Sequence, residues 1–281
     1  MTPEIAGAAA MLGSAMTHAV MGMLTKSSSD KLVFRSVMMS TSAILFLPLL
    51  FLLPPPPAAA WPFLIMGMGL HFVFQMSMIS AFERGDMNLV YPVMRGAAPA
   101  LAALFAFLIL GEALSMLQIS GLALASATII GFAWPDRSKA PKVTALAFAA
   151  LAALMTALYS VNDASGVRAT GNPLTYLAWF SLVTALPILV TALVRRGRRW
   201  PDLARRQFGS AAPAAVLGAA SYGFALFAFS IAAIGPMAAM RETSVVFGAI
   251  LAALILKEPF GIKRSLLAIF LAAGLVMLQV G

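Results

Sequence analysis

Apolar residues run along this chain in stretches of about twenty, and the polar and charged residues gather into short islands between them. The stretches fall at about 4–25, 33–53, 60–82, 88–110, 114–134, 143–164, 173–194, 210–232, 235–256 and 262–280. The islands are rich in breakers: "PPPPAAAWP" (54–62), "ERGD" (83–86), "WPDRSKAPK" (134–142), "ATGNP" (169–173), "RRGRRWPDLARRQ" (195–207) and "KEPFGIK" (257–263). A helix of roughly 20 apolar residues crosses a hydrocarbon layer about 30 Å thick. In lipid the backbone has to satisfy its own hydrogen bonds, so each stretch is expected to be a helix. The pattern predicts ten transmembrane helices and no extramembrane domain. The basic island at 195–207 is expected to form at most a short interfacial helix.

Composition strengthens this picture. Of the 281 residues 61% are hydrophobic and 10% charged, whereas a soluble domain carries about a quarter charged residues. A net charge of +9 would suggest a nucleic-acid partner in a soluble protein. Here no loop interleaves aromatic with basic residues, and the charge reads as basic loops facing an anionic leaflet. There is no cysteine, so disulfides and thiol chemistry are excluded. The first stretch lacks a basic leader and a small-residue cleavage site, and reads as a retained span. Sixteen of the lysines and arginines fall on or beside the odd-numbered loops: Lys26, Lys31, Arg35, Arg84, Arg137, Lys139, Lys142, six arginines within 195–206, Lys257, Lys263 and Arg264. The even-numbered loops and both termini carry only Arg168. The positive-inside rule then puts the odd loops in the cytoplasm and both termini outside.

One segment occurs twice. "MRGAAPALAALFAFLILGE" (94–112) and "MRETSVVFGAILAALILKE" (240–258) align without a gap at an offset of 146, with eight of nineteen positions identical. The paired arginines Arg95 and Arg241 and the paired glutamates Glu112 and Glu258 carry most weight, because charges are scarce here. The chain therefore divides into two five-span halves, 1–137 and 138–281. An odd number of spans per half gives the halves opposite orientations in the membrane. That is the inverted-repeat plan of many secondary transporters, with the substrate site near the midplane between halves. The expected fold is an all-α integral membrane protein of ten transmembrane helices in two inverted five-helix repeats.

The chain resembles the ten-span EamA-type drug/metabolite transporters. "ALFAFLILGE" followed by "ALSMLQISGLALASATIIG", and "AILAALILKE" followed by "PFGIKRSLLAIFLAAGLVML", carry the resemblance. "HAVMGMLTK" (18–26) and "YSVNDASGVR" (159–168) add to it. The resemblance implies a central cavity lined mainly by the first, third and fourth spans of each half. It says little about substrate, since members move amino acids, nucleotide sugars, phosphorylated metabolites, vitamins and cationic drugs.

Ionisable residues inside spans are costly and mark functional sites. Arg95 lies about seven residues into the fourth span and Arg241 about six into the ninth. Each either snorkels to the interface or faces the cavity, and their matched placement favours the cavity. A guanidinium fork suits carboxylate or phosphate oxygens, so neutralising either arginine is expected to remove anion binding and leave folding intact. Glu242 either pairs with a neighbouring span or meets a substrate amine. Glu112 and Glu258 end their spans, where a capping or hinge role fits. His18 sits mid-span and either packs or binds substrate or protons. His71 and Gln75, at i and i+4, share one face. Tyr91 precedes Arg95 by a turn, and Tyr222 aligns with Gln75 after a one-residue shift. Asp163 either pairs with Arg168 or serves as a coupling carboxylate. Trp179 reads as a packing or lipid-facing aromatic. Pro92 and Pro99 flank Arg95 and are expected to kink the span.

No P-loop, metal-ligand spacing or nucleophile elbow is present, so the chain reads as no enzyme, with no cofactor and no metal. These observations predict a bacterial inner-membrane, multi-pass, secondary-active transporter of a small polar metabolite, anionic or zwitterionic, working by alternating access. Arg95 and Arg241 would hold its acidic groups, and His18, His71, Gln75, Tyr91 and Tyr222 would shape the site. Asp163 and Glu242 are the candidates for coupling or ion pairing, and protons the candidate coupling ion. The protein would act as a monomer or homodimer. Two other readings stay open: a broad exporter of amphipathic or cationic compounds, and a lipid translocase.

Overall fold

The structure, a computed structural model, describes residues 2–26, 28–84, 87–132, 143–244, 246–247 and 261–280. Glu258, Arg137, Lys139 and Lys142 lie outside the described residues, as do the side chains of Lys26 and Tyr91. No strand occurs among the described residues. The helices are α1 (Pro3–Lys26), α2 (Lys31–Phe46), α3 (Leu49–Leu52), α4 (Trp61–Arg84), α5 (Met87–Phe105), α6 (Met116–Phe132), α7 (Val143–Thr170), α8 (Pro173–Arg196), α9 (Trp200–Ile231), α10 (Ile234–Arg241) and α11 (Gly261–Val280). Five stretches are long and apolar enough to cross a membrane: Lys31–Leu52, Ala58–Arg84, Val93–Leu110, Val143–Thr170 and Pro173–Ile231, the last holding both α8 and α9. Shorter apolar helices run over Met116–Gly131 and Ile269–Leu278.

The helices start and stop for local reasons. Asp30 caps α2, its Oδ1 accepting from the amides of Leu32 and Val33, each at 3.1 Å. Asn172 caps α8 in the same way, accepting from Leu174 at 2.9 Å and Thr175 at 3.3 Å. Such caps satisfy amides that the first turn leaves orphaned. α5 continues through Pro92 and Pro99, then loosens into a π-helical turn over Ala106–Leu110. Gly111 closes that turn at φ +71°, a left-handed backbone that glycine adopts without cost. The basic island departs from expectation. After a 3₁₀ turn at Gly197–Arg199, α9 begins at Trp200 and runs 32 residues, so Arg205 and Arg206 extend a membrane-length helix rather than lie in a loop.

α7 is the hub. It packs against α4, α5, α8, α9 and α10. Its buried Ala145, Ala149, Ala152, Ala153 and Ala157 recur on one face. Small residues let neighbouring backbones approach closely, which is how helices gain contact energy in lipid. α1 lies on α9 and α10, α2 on α8 and α9, and α6 on α11. At the α6–α11 contact the two backbones meet directly. A methyl group on Gly121 would stand 2.6 Å from the Gly274 carbonyl oxygen, and one on Gly274 would stand 2.8 Å from that of Gly121. Trp179 meets Trp61 edge-on at 5.0 Å, as a packing aromatic. Ile44, Phe51, Met66, Phe107, Ile109 and Ile269 point outward in the open. A soluble surface does not carry so many large apolar side chains, whereas acyl chains cover them.

Polar clasps tie the helix ends. At one end Arg196 grips Asp30 through Nε at 2.6 Å and Nη2 at 3.3 Å. Gln207 donates to the Asp30 carbonyl and the Trp200 indole to Ser36 Oγ, at 3.3 and 3.0 Å. Partial burial pushes the Asp30 carboxyl up, but the Arg196 bond and charge with the Val33 and Leu32 amides outweigh it, so the carboxyl titrates below its ordinary range. Its clasp is therefore fully present above the ordinary carboxylate range and is lost as pH falls through the depressed value. Melting of the detergent-solubilised protein between pH 6 and 3 should show an acid limb. The Asp30→Asn variant should flatten that limb, and an unchanged limb would assign it to another carboxylate.

At the opposite end, Glu112 Oε1 accepts from Arg168 Nη1 at 2.7 Å, and its Oε2 accepts from the Ile234 amide at 2.8 Å. Arg168 also donates to the carbonyls of Phe229 and Ala232, both at 2.9 Å. This corrects one expectation: Arg168 reaches away from Asp163, toward the open carbonyls at the end of α9 and the end of α5's π turn.

Candidate functional site

Two buried polar clusters lie between these clasps. The first joins α1, α5 and the end of α10. Arg95 Nη1 donates to both carboxylate oxygens of Glu242, at 3.1 and 3.2 Å. Its Nη2 faces His18 Nε2 at 2.5 Å. A guanidinium only donates, so Nε2 accepts and the imidazole proton sits on Nδ1. Glu242 is 3% exposed and follows the last residue of α10, in a two-residue turn that interrupts the helix. The aligned position on α5 is Gly96. A methyl group there would lie 2.3 Å from Ile130 Cγ1, so α5 has no room for a matching carboxylate.

The second cluster surrounds Asp163, 1% exposed on α7. Oδ2 accepts from His71 Nε2 at 2.8 Å and from the Tyr222 hydroxyl at 2.5 Å. Oδ1 accepts from Asn162 Nδ2 at 3.1 Å and from the Tyr176 hydroxyl at 3.2 Å. Asn162 also donates to the Phe63 carbonyl at 2.9 Å. Rings enclose the carboxylate. His71 lies over Tyr159 with centroids 4.0 Å apart and edge-on to Phe180 at 4.7 Å. Phe180 stacks on Tyr222 at 4.8 Å. Two glycines make the room: a methyl group on Gly67 would come within 3.0 Å of Asn162 Nδ2, and one on Gly166 within 2.4 Å of the Tyr176 ring.

Tyr222 connects the clusters. Its ring lies under the Arg241 guanidinium, 6.0 Å from centroid to Cζ, at the outer limit of a cation–π contact. Arg241 Nε is buried without a hydrogen-bond partner. Beside it is a cavity of about 10 Å³ lined by Ala98, Pro99, Thr156, Ser160, Arg241 and Glu242, room for about one water. Arg95, His18 and Glu242 thus come together, as do His71, Asp163 and Tyr222, with Arg241 next to both. Gln75 stands apart, its Nε2 3.6 Å from Met39 Sδ and its Oε1 unpartnered. Tyr91 falls on α5, with its side chain outside the described residues. Among the described residues no group of three or more His, Asp or Glu side chains could hold a metal.

Two residues escaped the sequence reading. Tyr176 follows the Asn172 cap by four residues, one turn into α8, which points it back toward α7. Arg35 looked like part of a basic loop beside Lys31. The Asp30 cap instead starts α2 at Lys31 and carries Arg35 a full turn inside, where it is 7% exposed. An Asp one residue before a basic–apolar run was the available signal.

No curated protein matches this chain. A solved structure, described only as a crystal structure of a protein, superposes with a TM-score of 0.80 at 16% identity, covering 99% of this chain and 96% of that one. At that identity the likeness concerns the fold. The model of the EamA-like transporter family matches residues 5–134 and again residues 143–280. With a family match over nearly the whole chain, membrane-length apolar helices and buried charged clusters between them, this chain belongs to the EamA-like transporter family and is a multi-pass membrane transporter of small molecules.

Proposed function

We propose that the protein is a secondary-active transporter of a small anionic or zwitterionic metabolite in a bacterial inner membrane. It has ten spans in two inverted five-helix repeats, 1–137 and 138–281, and works by alternating access. The basic loops face the cytoplasm and both termini the outside. The observation that carries the substrate class is Arg241. Its side chain is half-buried, its Nε is buried and unpartnered, and among the described residues no carboxylate is paired to it. A buried charge without a counter-ion is costly, and a bound anion would supply one. Arg95 is the second anion contact, in balance with Glu242. His18, His71, Gln75, Tyr91 and Tyr222 shape the site. Asp163, with His71 against it, is the proton-coupling carboxylate.

Arg241→Gln should weaken anion binding about 10- to 100-fold, as expected for one charge-assisted hydrogen bond of about 1.5–3 kcal/mol, with little change in melting temperature. A thermal-shift screen of purified protein against amino acids, organic acids and phosphorylated compounds measures this. Retention of full anion affinity by the variant would refute the reading. The cation-exporter reading finds less support. Glu242 is taken up by Arg95, and Asp163 already accepts four hydrogen bonds.

A further inference from the structure

Arg35 is a buried cation with unusual partners. Its Nη1 lies 3.7 Å from Met38 Sδ and its Nη2 3.8 Å from Met78 Sδ. Its Nε has no partner. Across from it, Gln75 points its amide at the sulfur of Met39. Three donor groups thus end on thioethers, which are weak acceptors. Met78 and Gln75 belong to one face of α4, and Arg35, Met38 and Met39 to α2. Methionine has three rotatable bonds and repacks readily, so these sulfurs fill a donor-rich gap that a stronger acceptor could take over. Arg35 also lies within the electrostatic field of the first cluster, since Arg35, Arg95 and Arg241 all act on His18. Of these three guanidiniums only Arg95 is bound to a carboxylate, Glu242, while Asp163 is held by four other donors. Among the described residues, Arg35 and Arg241 are left with no carboxylate.

Resting on the anion-transport reading above, we infer that Arg35 is a further substrate contact and that the site selects a doubly charged oxyanion, a dicarboxylate or a phosphoryl compound. One end of the substrate binds at Arg241 and Arg95, and the other replaces the methionine sulfurs at Arg35 and Gln75. A monoanion satisfies one of the two unpaired guanidiniums and leaves the other buried without a counter-ion. The second charge therefore binds where a buried cation awaits it, and a charge-assisted, forked contact is the strong kind.

The test uses the full chain in detergent at constant ionic strength near pH 7.5, with two matched pairs of probes. Succinate is compared with butyrate, and methyl phosphate (second pKa about 6) with the isosteric monoanion methyl sulfate. Dissociation constants come from thermal-shift titration. At least one dianion should bind wild type about 10-fold or more tightly than its monoanion. Arg35→Gln should bring that preference within about threefold. Arg35→Lys, which keeps the charge and loses the fork, should retain part of it. The tighter of succinate and methyl phosphate identifies the carboxylate or the phosphoryl class. Wild type binding each monoanion as tightly as its dianion would overturn this inference without any variant, while leaving the anion-transport reading in place. A preference that survives Arg35→Gln would overturn it as well. If none of the four anions shifts the melting curve, this inference falls, while the anion-transport reading is decided by the wider screen of amino acids, organic acids and phosphorylated compounds.

Discussion

Replacing Asp163 by alanine should prevent the protein from accumulating in folded form. The carboxylate is the common acceptor for His71, Asn162, Tyr176 and Tyr222. Removing it leaves four buried donors facing a void, and each unsatisfied group costs about 1–3 kcal/mol. A helical bundle has only about 5–15 kcal/mol in hand. Asp163→Asn is the informative partner. An amide keeps one carbonyl acceptor and nearly the same volume, so this variant should fold with reduced stability. If Asp163 carries the coupled proton, the asparagine protein should bind substrate and exchange it across the membrane, while no longer concentrating it against a pH gradient in proteoliposomes. Gradient-driven uptake at the wild-type level would reduce Asp163 to a structural acceptor.

Arg95→Gln should destabilise strongly, against the sequence-based expectation that neutralising it leaves folding intact. The reason is Glu242, which would keep its charge at 3% exposure with its cation gone. Breaking one partner of a buried pair costs about 3–5 kcal/mol, whereas removing both is often near neutral. The Arg95→Gln, Glu242→Gln double variant should therefore recover most of the lost stability while binding no anion well. Glu242→Gln alone frees the arginine for substrate and should tighten anion binding. A double variant as unstable as the single one would mean that Arg95 holds α1 and α5 through His18 rather than balancing Glu242. Chemical denaturation or melting of the four proteins, with one anion titration each, decides the matter.

The helices were legible in the sequence because lipid-length apolar runs and their breakers leave few alternatives. Boundaries at basic islands were not. α9 starts ten residues before its apolar stretch because Trp200 and Pro201 begin a helix whose first turns carry arginines into the interface. The arginine–glutamate repeat singled out Arg95 and Arg241. It could not show that Arg95 is matched by Glu242 from the other repeat unit, since a pairing between residues 147 apart in the chain leaves no local mark. Asp163 drew attention as an intramembrane acid. Its neighbour Arg168, five residues on, looked like its partner but points about 140° away around the helix, at 100° per residue. Arg35 was obscured by its basic neighbours, and only the cap at Asp30 shows that it enters the protein.

The backbone-to-backbone seam at Gly121 and Gly274 limits how the molecule can move. There the two backbones meet directly, with Leu122 against Leu278 and Ala125 against Leu271 on either side, so α6 and α11 are expected to move as one spine. A rearrangement that exposes Arg95, Arg241 or Asp163 is then expected to turn about that edge as a fulcrum. Displacement then grows with distance from the spine, and the far edge, where α2 and α8 meet at the Asp30 clasp, sweeps the longest arc.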